Sequence, residues 1–157
     1  THQASTQQVG TADVLSPRQG AEALRRLARA HADRGQLEAA LEWCEKAVDA
    51  DKLDPASHYL LATVQQERSD YGAAIRALER ALYLDPGFVL AHFTLGNLRA
   101  SQRRLRDARR HFRNALSLLR ERPAEEVLPE SGGLTCGRLA EIIAAMGRAL
   151  SPEPTEG

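Results

Sequence analysis

Three stretches of this chain superimpose on one another at a spacing of 34 residues. Ala40, Ala74 and Ala108 stand in register, as do Ala47, Ala81 and Ala115. Upstream, Leu27, Leu61 and Leu95 align, each followed by a small residue: Ala28, Ala62 and Gly96. Small side chains at fixed offsets mark places where two helices cross closely, because a larger group there would force the axes apart at a cost of about 1–3 kcal/mol. Self-similarity at this period is the mark of stacked helical hairpins, none of which buries its apolar face alone. A chain built this way is ordinarily a docking surface rather than a catalyst.

The register divides the chain. Residues 1–15, rich in Gln, Thr, Ser and Gly, read as a flexible linker. Helix is predicted to start at Ser16-Pro17, a serine N-cap followed by proline where a missing N–H costs nothing. Three units follow without insertions, at 21–54, 55–88 and 89–122, each a helix, a turn and a second helix. The turns fall at Gly35-Gln36, at Ser69-Asp70 and at Gln102 to Arg104, the last without glycine and therefore costlier to form. In the second helix of the middle unit, Tyr71, Ala74, Ile75, Leu78, Ala81 and Leu82 trace one apolar stripe. Residues 123–134 read as an acidic loop, 135–150 as an amphipathic capping helix opened by Thr135, and 151–157 as a disordered tail.

Composition excludes several classes of function. Net charge is zero, so no overall field draws the chain to nucleic acid or to an anionic membrane. No apolar run approaches the ~20 residues that span a bilayer, so membrane insertion is not expected. The two cysteines, Cys44 and Cys136, form no C-x-x-C pair, and a reducing, cytoplasmic setting is expected. His58 and His92 occupy equivalent places in successive units, which accounts for their spacing without a metal. Cys136 lies near a helix N-terminus, a position that lowers a thiol pKa. The chain opens on Thr1 and is read as a piece of a longer protein.

Together, the register alanines, the Leu-small pairs and the Asp54-Pro55 and Asp85-Pro86 joints resemble the tetratricopeptide repeat, with its aromatic positions degraded. The Trp site of the pattern holds Leu24, His58 and His92, and the Phe site holds Cys44, Leu78 and Phe112. The resemblance implies an all-α right-handed superhelix of three helical hairpins plus a C-terminal capping helix. Residues Glu126 to Leu139, EVLPESGGLTCGRL, resemble the segment that follows such repeats in some bacterial chemotaxis-type methyltransferases. Members of the wrinkly-spreader, biofilm-signalling type carry repeats at their C-terminus. That resemblance implies a parent protein that methylates chemoreceptor glutamates with S-adenosylmethionine. No strand pattern or nucleotide-binding glycine loop is present, so no catalytic, cofactor or metal residue is expected in this chain. The alternative is a scaffold domain of an unrelated signalling or assembly protein.

Such solenoids usually bind partners in the concave groove lined by their first helices. The register places Arg25, Arg29, Tyr59, Thr63, Gln66, Phe93 and Asn97 there, a slot with a basic end and an aromatic floor. It suits a peptide carrying an acidic group, such as a cytoplasmic segment of a chemoreceptor or the parent's own catalytic domain. Some tetratricopeptide domains grip a C-terminal carboxylate with spaced Lys, Asn and Arg; Arg25 and Arg29 match part of that set, and Thr63, Phe93 and Asn97 do not supply the rest. The arginines of unit three, from Arg99 to Arg113, read either as a basic patch for a phosphate backbone or an acidic protein, or as a solvated outer face partly neutralised by the acidic loop, with no aromatic interleaving to stack on nucleic acid.

Overall fold

A computed structural model describes residues 15–150. The readings of 1–15 as linker and 151–157 as tail therefore fall, but for Leu15, outside the described residues. The helices are α1 (Pro17–Asp33), α2 (Leu37–Ala50), α3 (Pro55–Glu67), α4 (Tyr71–Leu84), α5 (Val89–Ser101), α6 (Leu105–Arg120) and α7 (Cys136–Leu150). They stack as hairpins α1/α2, α3/α4 and α5/α6, with α7 laid against α6. Among the described residues no helix is long and apolar enough to cross a membrane.

Local chemistry sets the helix ends. The Ser16 hydroxyl accepts the Gln19 N–H at 3.2 Å while the Gln19 side chain accepts the Ser16 N–H at 3.0 Å, a complete capping box ahead of Pro17. Asp54 caps α3 by accepting the Ala56 N–H at 3.1 Å. The three hairpin turns share one conformation. Gly35, Ser69 and Arg103, register equivalents, have φ of 74°, 63° and 65°. In each, the next amide bonds back across five residues, Gln36 to His31, Asp70 to Gln65 and Arg104 to Arg99, all at 2.9 Å. Only the first turn uses glycine, and a side chain in the left-handed region costs about 1–2 kcal/mol. Replacing Arg103 with Gly is expected to raise stability by about 0.5–1 kcal/mol, after the added freedom of the unfolded chain is subtracted. A thermal melt that stays put or falls would show that the turn is not strained.

The six register alanines are fully buried, as are Ala28 and Ala62. Side chains across each hairpin are matched in size: Ala28 with Cys44, Ala62 with Leu78, and Gly96 with Phe112. The apolar stripe of α4 is shorter than its periodicity implied. Ala74, Ile75, Leu78 and Ala81 are buried, but Tyr71 is 49% exposed, because it opens the helix just past the turn, beyond the flank of the crossing.

The repeated histidines have a repeated job. His58 Nε2 contacts the Lys52 carbonyl at 3.1 Å, and His92 Nε2 the Pro86 carbonyl at 2.9 Å, each tying the joint six residues upstream to the following helix.

Residues 121–135, between α6 and α7, form an ordered strap. Leu128 N–H donates to the Leu134 carbonyl at 2.9 Å, and Val127 bridges Thr135. The Ser131 hydroxyl accepts the Leu134 N–H at 3.0 Å, inside a turn whose Glu130, Gly132 and Gly133 all have positive φ. Thr135 accepts the Arg138 N–H at 3.2 Å and caps α7. Leu128, Cys136, Leu139 and Ile143 join Phe112, Ala115 and Leu119 in one buried cluster, so strap and cap share the core of the last hairpin.

Candidate functional site

The positions expected to face the groove lie on α1, α3 and α5. Arg25, Tyr59 and Phe93 are register equivalents, as are Arg29, Thr63 and Asn97, so the two rows cross the stack. The structure assigns these side chains uneven surroundings. Arg25 is largely buried and pairs with Asp54, the cap of α3, with Glu130 at 3.8 Å on its other nitrogen. Arg29, with a side chain 44% exposed, also pairs with Glu130. Tyr59 is half-buried; its ring meets Phe88 at 5.1 Å and its hydroxyl bonds Thr94. Burial above all, opposed by the Thr94 bond and reinforced by the Glu130 carboxylate, raises the phenol pKa, so Tyr59 remains a neutral donor. Phe93 lies 6.2 Å from the ring of Phe112 and packs on the core. The Thr63 hydroxyl donates to the Leu60 carbonyl at 2.7 Å.

These residues do not line one continuous cavity. Arg25 borders an open space of about 350 Å³, lined also by Asp54, Phe88, Leu128, Pro129 and Glu130. Gln66 and Asn97 border another of about 430 Å³, with Tyr71, Ser101 and Gln102. The residue that periodicity missed is Glu130. The acidic loop, expected beside the arginines of unit three, instead reaches unit one, and Glu130 sits against Arg25 and Arg29, 101 residues from the latter. Nothing local in the sequence signals a pairing at that separation. Within the loop only Glu126 serves unit three, meeting Arg122 at 3.5 Å.

The remaining titratable side chains are not poised for chemistry. Burial, reinforced by Glu45, pushes the Cys44 thiol up to about 12. The expected lowering at Cys136 is reversed: burial first, then the Glu126 carboxylate 3.7 Å from Sγ, raise its pKa and outweigh the helix terminus. Both thiols are therefore expected to resist Ellman's reagent at pH 8 and to react only in denaturant. Prompt titration of either in the native protein would show that its burial is transient. Among the described residues no group of His, Cys, Asp and Glu is placed to hold a metal ion.

Known structures share this arrangement. The Yersinia enterocolitica type III secretion translocator chaperone SycD, in complex with a peptide of the translocator YopD, superimposes with a TM-score of 0.71 at 19% identity, over 82% of this chain and 90% of that one. The first TPR of Spaghetti (RPAP3), bound to the HSP90 peptide SRMEEVD, gives 0.62 at 18% identity, over 82% and 94%. PcrH in complex with the chaperone-binding region of PopD gives 0.70 at 19%, over 82% and 89%. At these identities the likeness is one of fold, an all-α stack of helical hairpins. No curated protein matches the chain. The tetratricopeptide repeat model matches residues 12–55 and 59–126, most of the chain, which therefore belongs to the tetratricopeptide repeat family.

Proposed function

We propose that this chain is a protein-interaction module whose concave groove accepts a peptide segment carrying an acidic side chain beside an apolar one. The observation that carries the reading is the seat already taken by the chain's own strap. Glu130 lies between Arg25 and Arg29 next to Tyr59, and Leu128 two residues before it is buried. A groove built this way offers charge-assisted bonds to a carboxylate and an apolar floor to its neighbour. The related chaperone and RPAP3 structures, which hold peptides, support a peptide partner here. Thr63, Gln66, Phe93 and Asn97 extend the same face beyond the strap, where the rest of the segment would lie.

The strap competes with that segment. Replacing Glu130 with Ala is expected to tighten binding of cytoplasmic receptor fragments in a pull-down by about tenfold, corresponding to release of a partly buried ion pair of about 1–2 kcal/mol. Arg29→Glu, on a half-exposed side chain, and Phe93→Ala are expected to abolish it. Arg25 is a poorer probe because it also holds Asp54. Binding unchanged by all three variants would move the site off the groove.

The parent is read as a chemoreceptor glutamate methyltransferase using S-adenosylmethionine, acting in chemosensory or biofilm signalling. Its support is the likeness of residues 126–139 alone. The cytoplasmic setting is supported by two unbridged cysteines. A Rossmann-like strand–loop–helix pattern encoded ahead of Thr1 would favour this parent, and a kinase or receptor segment would favour the scaffold reading. Methyl transfer by residues 1–157 alone would overturn the assignment of a purely interacting role.

A further inference from the structure

A second surface lies away from the concave groove, between α6 and α7. It is a furrow of about 410 Å³ whose open floor is Leu116 and Ala144, laid over the buried Phe112 and Ile143. Arg106, Arg109, Arg113 and Arg148 rim it. Arg109 donates to the Leu150 carbonyl at 3.0 Å, while the other three have no carboxylate partner among the described residues.

The register shows that this rim is a reversal. In the earlier units the second helix offers acid to the next first helix: Glu38 of α2 pairs with Arg68 after α3 at 3.0 Å, and Glu79 of α4 with Arg99 of α5 at 3.3 Å. Arg106 stands two repeats after Glu38, and Arg113 one repeat after Glu79. Position 109, which holds Leu41 and then the buried Ile75, has become arginine. Thus the edge that elsewhere pairs its glutamate with one arginine of the following hairpin carries arginine itself here, a change that suits an acidic partner. Arg99, Arg104 and Arg110 are engaged by Glu79 and Asp107, whereas Arg106, Arg113 and Arg148, without a carboxylate among the described residues, are gathered at the furrow.

We propose that the α6/α7 furrow docks an acidic amphipathic helix of another protein, its apolar side chains on the floor and its carboxylates on Arg106, Arg113 and Arg148. Walls made of two helices with an apolar seam suit a helix laid in the groove, and forked guanidiniums on both rims suit carboxylates. The chain's own tail carries Glu153 and Glu156 but no large apolar side chain to fill the floor. A phosphate backbone would match the arginines but would leave the apolar floor unoccupied.

The test titrates the full chain into a fluorescein-labelled amphipathic Leu/Glu peptide about five turns long, with a shuffled isomer, a Leu/Lys counterpart and a dT oligonucleotide as competing probes, read by anisotropy. The Leu/Glu peptide is expected to bind best. R106E/R113E is expected to weaken it at least tenfold, as is Gly147→Leu, since a side chain at Gly147 enters open space at the furrow. Circular dichroism confirms that the variants fold. Equal binding by wild type and both variants would overturn the proposal. So would equal binding of the shuffled isomer or tighter binding of the oligonucleotide. A tenfold gain in E153Q/E156Q would assign the furrow to the chain's own tail and overturn a separate partner.

Discussion

Replacing Phe112 with alanine is expected to remove about 3–5 kcal/mol of stability, the range for deleting a buried phenylalanine side chain. That is a large share of the ~5–15 kcal/mol that holds a domain of this size. Phe112 is 3% exposed, packs against Phe93, and stands in the same cluster as Leu139 and Ile143 of α7. The loss would therefore loosen the cap together with the last hairpin. Its complement is Gly96. A Cβ added there would lie 2.6 Å from the Phe112 ring, closer than any side-chain contact tolerates. Gly96→Ala is thus expected to cost about 1–3 kcal/mol despite a gain in helix propensity of about 1 kcal/mol. The middle unit shows the remedy, since Ala62 there shares a cluster with Leu78. The double variant G96A/F112L reproduces that pairing, and chemical denaturation should show a favourable coupling of at least ~1 kcal/mol. Additive losses would mean that the ring and the glycine are not mutually adapted.

Stability is also expected to fall between pH 6.5 and pH 4. His111 is 9% exposed, and its Nδ1 lies 3.4 Å from that of His92, whose Nε2 is committed to the Pro86 carbonyl. Burial first, then His92, Arg110 and Arg99, against the weaker pull of Asp107, lower the His111 pKa from 6.5 to about 4. The folded state therefore favours the neutral ring, and in this window the unfolded chain binds the proton first. The contribution is complete above about pH 6.5 and is lost as pH falls toward 4, amounting to about 1–3 kcal/mol. The carboxylates titrate in an overlapping range, so the measurement is a difference. Urea midpoints at pH 7 and 4.5 should shift more in the wild type than in His111→Gln. Parallel shifts would mean that the ring protonates without penalty, through a contact that opens readily.

The positions at which helices cross were readable from the alanine register because a close crossing admits only small side chains, a constraint that acts at each position independently. Capping was readable for the same reason: Ser16 and Thr135 satisfy amides within three residues of themselves. The shared left-handed turn was half visible, announced by Gly35 and carried silently by Ser69 and Arg103, where the hairpin overrides the preference of the side chain. Tyr71 was misplaced because periodicity assigns a face without saying where along a helix the neighbouring helix ends.

Of the candidate groove, the register supplied two rows of equivalent positions on the first helices. It did not supply their state. Whether Arg25 and Arg29 face an empty slot or a carboxylate depends on where the strap after α6 lands, and that is set by how three hairpins stack rather than by any local signal. The buried meeting of His92 with His111 and the furrow rimmed by Arg106, Arg113 and Arg148 arise in the same way. Sequence alone determined the repeat, the crossings and the caps, because these rest on backbone bonding and side-chain size within a few residues. Tertiary structure decided which charges meet, because an ion pair depends on distance in space, which only the completed stack sets.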